Sequence, residues 1–315
     1  QAIRKARRTA IRLPLGTNTP QNEPNDLHAI RKLRPKGPRV FEKVPKKKLL
    51  ADKIKGALIG RAIGCTLGHP VEGWSVDEME RLAKRSQFRF PPEDYWPDHP
   101  KPDEMRNYLR AGLKFIPEDD DLAYTVLGLL IFEEYGADFT TSDVAAAWQK
   151  YLPFAYTAEK VALENMEKGI APEKAGEHNN PFQEWIGADI RSDPWAYLNP
   201  GNPEQAAEFA YRDAYLSHRG NGIYGAMFFA AAISAAFVVT DPIQALEIGL
   251  SEIPKSCRLA EDIRWALEKA PTIRDWREAR AHVDQRFEGM HPVHTNNNAC
   301  LTVFGLSLGR GDLQK

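Results

Sequence analysis

The chain has 315 residues, 43% hydrophobic and 27% charged, with a formal net charge of −1. That is enough apolar material for one large core or two ordinary ones, and no stretch approaches the ~18 uncharged apolar residues of a membrane span. Three scattered cysteines, Cys65, Cys257 and Cys300, form no C-x-x-C pair. They support neither a zinc ribbon nor a disulfide framework, and they read as reduced, cytoplasmic thiols.

The small net charge hides an asymmetry. Residues 1–50 hold fourteen Lys and Arg against three acids, so they carry +11 and the remainder carries −12. Six prolines interrupt this stretch, from Pro14 to Pro45, and it lacks sustained apolar periodicity. Residues 1–48 therefore read as a basic, Pro-containing N-terminal extension that wraps the body or stays mobile. Nucleic-acid contact through it is one reading. A solvated or intramolecularly neutralised arm is the favoured one.

The body, residues 49–315, opens with a helix on which Leu50, Ile54, Ala57, Leu58 and Ala62 recur at helical spacing. Gly56, Gly60, Gly64 and Gly68 form a stripe on it, which predicts that another helix approaches closely, and Pro70 ends it. Gly64 to Gly73 then places one acid, Glu72, after a Gly-rich helix end. It is either a surface residue beyond a capped helix or a carboxylate placed to hold water. Residues 86–117 are rich in proline and aromatic residues and read as an irregular lid or wall.

Glu118-Asp119-Asp120-Asp121 opens the next helix, which runs to Gly136. Helix capping accounts for one of these acids, or two. Four adjacent carboxylates repel one another unless a cation offsets them, and hard oxygen donors suit Mg²⁺, Mn²⁺ or Ca²⁺ better than zinc. Further helices are predicted over 142–152 with Ser142 as N-cap, and over 157–168, 203–216, 224–239, 242–251, 257–267, 272–286 and 296–308. Residues 180–195 mix Trp185 and Trp195 with charges, as a nucleoside pocket or a packed surface loop would.

Ser217-His218-Arg219-Gly220-Asn221-Gly222-Ile223-Tyr224 joins two of these helices. Its glycines expose backbone N–H groups before a helix N-terminus, a geometry that suits an anion, though a tight interhelical turn explains it equally. His291 and His294 precede Asn296-Asn297-Asn298 and read as an N-cap cluster rather than a metal pair. Convincing strands are absent, so the predicted class is all-α.

Together these pieces resemble the ADP-ribosylglycohydrolase family, the group that includes the dinitrogenase-reductase-activating glycohydrolase and the J-crystallins. Leu67-Gly68-His69-Pro70-Val71-Glu72-Gly73 looks like its opening motif and Asp119-Asp120-Asp121-Leu122 like its first metal motif, usually Thr-Asp-Asp-Thr. Gly220-Asn221-Gly222 with Gly225-Ala226-Met227 looks like its central loop, and His294 to Asp312 like the helix before its last motif. Cys65 stands where the family commonly has Asp, and Asp119 and Leu122 replace two threonines.

The resemblance implies an orthogonal multi-helix bundle and two divalent ions, Mg²⁺ or Mn²⁺. Asp119, Asp120 and Asp121 would supply half of the metal shell. The other half, an Asp-x-Asp-Thr segment, is expected some tens of residues after Asp312, and the sequence ends at Lys315. The implied reaction is hydrolysis of an N- or O-glycosidic bond of ADP-ribose, on an ADP-ribosylated protein or a small-molecule conjugate. Glu72 is the implied acid–base or water-positioning residue. His218, Gly220, Asn221, Gly222 and Tyr224 are the implied substrate loop. The alternative is a catalytically inactive ADP-ribose-binding or structural, crystallin-like protein on the same fold.

Overall fold

The computed structural model describes residues 23–312, which contain fifteen α-helices and no strand. The only β-type pairing among them is a single antiparallel bridge between Trp185 and His294. The all-α prediction holds. No helix among the described residues is long and apolar enough to cross a membrane.

Twelve helices of seven residues or more carry the architecture: α1 (Leu27–Leu33), α2 (Lys47–Gly68), α3 (Val76–Arg85), α4 (Asp120–Tyr135), α5 (Thr141–Tyr151), α6 (Thr157–Glu167), α7 (Pro203–Ala214), α8 (Asn221–Ala236), α9 (Pro242–Gly249), α10 (Arg258–Lys269), α11 (Trp276–Arg286) and α12 (Thr295–Gly309). Helix α8 is the hub. It is apolar on every side, which suits only a helix enclosed by others, and it packs against α7, α9, α10 and α12. Its alanines, with Phe228, Met227 and Ile223, are buried in the main core. A smaller cluster forms around Leu82, Trp96 and Leu109, so the Pro- and aromatic-rich stretch is a packed annex rather than a bare loop.

Local sequence sets most helix ends. The N-cap of helix α5 lies two residues earlier than expected, at Thr140 rather than Ser142: Thr140 and Asp143 form a reciprocal capping box. The same device, Ser75 with Glu78, starts α3, a helix the periodicity reading missed. Gly136 closes α4 at φ +73°, and His294 caps α12 by accepting from the Asn296 amide at 3.2 Å.

The glycine stripe on α2 does not do what its spacing suggested. Among the described residues, a Cβ built on Gly56, Gly60, Gly64 or Gly68 would meet nothing within 4 Å, so no described helix lies against the stripe. Gly60, Gly64 and Gly68 line an open cleft instead. On α4 the reverse holds: a Cβ on Gly128 would lie 2.5 Å from the Pro194 ring. Gly128→Ala is therefore expected to cost about 1–3 kcal/mol by overpacking. Gly64→Ala is expected to gain up to ~1 kcal/mol of helix propensity. Thermal unfolding of both variants checks the pair, and the opposite order would contradict this packing.

The basic arm wraps the body where it is described; residues 1–22 lie outside the described residues. Ile30 is fully buried, Arg31 pairs with Glu208, and Arg34 and Arg39 both pair with the buried Glu252. These three arginines are neutralised within the chain.

Candidate active site

Helix α4 begins at the floor of a cleft of about 1180 Å³. Asp119 is its N-cap, extended in backbone, and accepts from the Asp121 amide at 3.0 Å. Capping therefore explains one acid, as helix-end chemistry predicts. His69 Nδ1 lies 3.1 Å from the other Asp119 oxygen, and its ring stacks on Tyr108 at 3.9 Å between centroids. The Tyr108 hydroxyl donates to the Glu118 carbonyl, tying this stack to the turn.

Asp121 accepts from the Cys65 thiol at 3.1 Å and has Arg61 at 3.9 Å. Arg61 is held in place by a two-pronged contact to Asp193, at 2.5 and 2.9 Å. Asp120 lines the cleft between its neighbours. Partial burial, then the charges of Asp121 and Asp119, push its carboxyl up to about 6. Burial also raises Asp121, against the pull of Cys65 and Arg61. Burial and the Asp121 charge push the Cys65 thiol up to about 12, so it stays protonated at neutral pH.

Glu72 follows a 3-10 turn, His69–Val71, at the end of α2 and lines the same cleft. It is close enough to add to the negative field on both Asp120 and Asp121. The structure thus brings Glu72 together with Asp119, Asp120 and Asp121, across about fifty residues of chain.

A divalent cation fits this donor set. One ligand atom each from Cys65, Asp119 and Asp121 falls within 4.8 Å of the others. The repulsion that raises Asp120 is the kind a cation relieves. The two carboxylates offer hard oxygen donors beside one soft thiol.

The opposite wall comes from the 180–195 stretch that the sequence offered as a nucleoside pocket or a packed surface loop. It is built by Trp185, Ile186 and Gly187, with Tyr156 and Glu159 beside them. Trp185 stacks on His291 at 4.0 Å, and the Ile186 amide donates to the Val293 carbonyl. Glu159 is buried and paired with Arg191 at 2.6 Å. Arg191 also donates to the Gly187 carbonyl (2.8 Å), to Asp213 (2.5 Å) and to the Ser217 hydroxyl (2.8 Å). Trp195, the other tryptophan of the expected pocket, is buried in the core against Phe139.

The Gly/Asn loop lies apart from this cleft. His218, Asn221, Gly222 and Tyr224 are buried and do not line the acidic cleft. Burial, with Arg191 and Arg219 nearby, holds His218 neutral, and its Nδ1 is 2.8 Å from the Ser217 hydroxyl. A Cβ on Gly222 would lie 2.2 Å from the Gln183 carbonyl. The Tyr224 hydroxyl donates to the Pro24 carbonyl at 2.5 Å. Gly220, at φ +53°, borders a separate polar concavity.

The expected anion at the N-terminus of α8 is supplied by the chain itself. Glu184 Oε1 accepts from the Asn221 backbone and side chain, at 3.0 and 2.7 Å. Burial would raise the Glu184 carboxyl, but His294 and these Asn221 hydrogen bonds outweigh it and hold it at about 2.

Comparison with known proteins identifies a family. The family model for ADP-ribosylglycohydrolase matches residues 46–309, which include Glu72, the three aspartates and the Trp185 wall. No curated protein and no solved structure matches the chain. With most of its length inside the match, the chain belongs to the ADP-ribosylglycohydrolase family.

Proposed function

We propose that this chain is a divalent-metal-dependent hydrolase that releases ADP-ribose from a modified protein or a small-molecule conjugate by cleaving an N- or O-glycosidic bond, in the cytoplasm. The observation that carries the proposal is the meeting of Glu72 with Asp119–Asp121 at one end of a cleft large enough for a dinucleotide-sized ligand. Mg²⁺ or Mn²⁺ is the proposed cofactor, held by Asp119, Asp120 and Asp121. When bound, such an ion would orient a ribose diol and offset the crowded carboxylates.

The chain's own groups do the rest. Asp119 caps the start of α4, and Arg61 flanks Asp121 at 3.9 Å. Glu72 holds a water and takes its proton as the water oxygen bonds to the anomeric carbon. The bond to the acceptor breaks through an oxocarbenium-like state. The proton passes to the departing nitrogen or oxygen, so charge balances without a further reactant. The Trp185–Gly187 wall and Tyr156 confine the ligand and exclude bulk water.

Glu72→Gln is expected to lower the rate of ADP-ribose release by about a hundredfold, the low end of general acid–base contributions. The thermal midpoint should hardly move, because the side chain is exposed. Chromatographic measurement of released ADP-ribose checks this. A variant as fast as wild type would remove Glu72 from the mechanism.

A further inference from the structure

The family match begins at residue 46, yet the segment before it reaches into the middle of the fold. The Asn25 side chain accepts from the Gly220 amide at 2.7 Å. Glu23 accepts from the Arg258 amide at 2.6 Å and from the Asn221 side chain at 3.4 Å. The Pro24 carbonyl takes the Tyr224 hydroxyl. Three consecutive residues thus fix the loop at the start of α8.

That loop in turn fixes the cleft wall. Asn221 gives two hydrogen bonds to Glu184, and its side-chain oxygen accepts from the Leu259 amide at 2.9 Å. The Glu184 carbonyl accepts from the Thr295 amide, and the next residues, Trp185 and Ile186, face the acidic cleft. Trp185 borders both the cleft and the polar concavity that holds Glu23 and Asn25.

We propose that Glu23 and Asn25 are positioning residues for the active-site wall, acting through Asn221 and Glu184 on Trp185–Gly187. The site is then completed by a segment outside the part of the chain that defines the family. The contacts alone carry the placement; the kinetic consequence rests on the hydrolase reading above. Because the concavity around Glu23 and Asn25 is polar, water can replace their side chains. Their removal should loosen the wall without unfolding the protein.

The test compares Glu23→Ala/Asn25→Ala with Ile30→Ala in the full chain. Ile30 lies in the same arm and is fully buried in the main core, but touches none of these groups by hydrogen bond. Hydrogen exchange of the peptide spanning 183–187 is expected to speed up about tenfold in the double variant and to stay unchanged in Ile30→Ala. KM is expected to rise severalfold with kcat within twofold. Unchanged exchange in the double variant, or an equal rise in Ile30→Ala, overturns the proposal. So does faster exchange with an unchanged KM. If the wild-type chain releases no ADP-ribose, the hydrolase reading fails while the exchange comparison still decides the placement.

Discussion

Asp120→Asn is expected to reduce ADP-ribose release by about a thousandfold while leaving the metal-free protein no less stable than wild type. The activity loss follows from the proposed cation: Lewis-acid stabilisation is worth several kcal/mol, and each 1.36 kcal/mol is tenfold in rate. The stability expectation follows from the site's crowding. Asp119 caps α4 and Asp121 holds Cys65, so changing either disturbs the fold as well as the chemistry. Asp120 has a carboxyl raised to about 6 by partial burial and by its two neighbours. A folded pKa above the unfolded one means that the folded state binds the proton more tightly. Without metal, the wild type should therefore lose stability as pH rises through about 6, and Asp120→Asn should not. Calorimetry at pH 5 and pH 7.5, beside the activity assay, separates the two effects. Activity within a few-fold of wild type would contradict the metal role. A large drop in thermal midpoint would contradict the electrostatic account.

Arg191→Met is expected to destabilise the protein by about 3–5 kcal/mol, the cost of leaving buried charges without their partner. For a chain of this size that is a fall of order 10 °C in thermal midpoint. Glu159 and Asp213 are both buried, and burial already pushes both carboxyls up against the pull of Arg191. Without the guanidinium they are pushed further. The folded variant then holds their protons more tightly than the unfolded chain, so its deficit should grow from pH 5.5 to pH 8. Adding Glu159→Gln and Asp213→Asn should recover part of the loss, because no buried charge remains. A deficit that is independent of pH would mean that lost packing over Trp148 and Tyr124, not charge, dominates.

How legible these features were depends on how local their causes are. Asp119–Asp121 stood out because several carboxylates at an apolar helix start exceed what capping needs, whereas Glu72 had an ordinary local explanation and gained weight only from the family-like motif around it. Arg61, His69 and Glu159 sit in unremarkable contexts and gain meaning only when α2 and the Trp185 wall face α4. The glycine stripe was read as a helix contact because the same spacing serves a close-packed helix and an open cleft, and periodicity carries no information about which neighbour arrives. The surroundings of the Gly220–Tyr224 loop were hidden for a related reason. Its N–H groups do meet an anion and polar acceptors, but Glu184 and Asn25, from distant parts of the chain, supply them. Arg191, within the 180–195 stretch read as a nucleoside pocket or a packed surface loop, gave no sign of its partners, since nothing in a row of side chains shows that Glu159 and Asp213 will converge on one guanidinium.

The most direct test is ADP-ribose release by the full chain from an ADP-ribosylated protein, measured before chelation with EDTA, after it, and after returning Mg²⁺ or Mn²⁺. The account predicts turnover, its loss on chelation, and its recovery with either ion. Turnover that survives chelation, or tight ADP-ribose binding with no release in the metal-loaded protein, would contradict it.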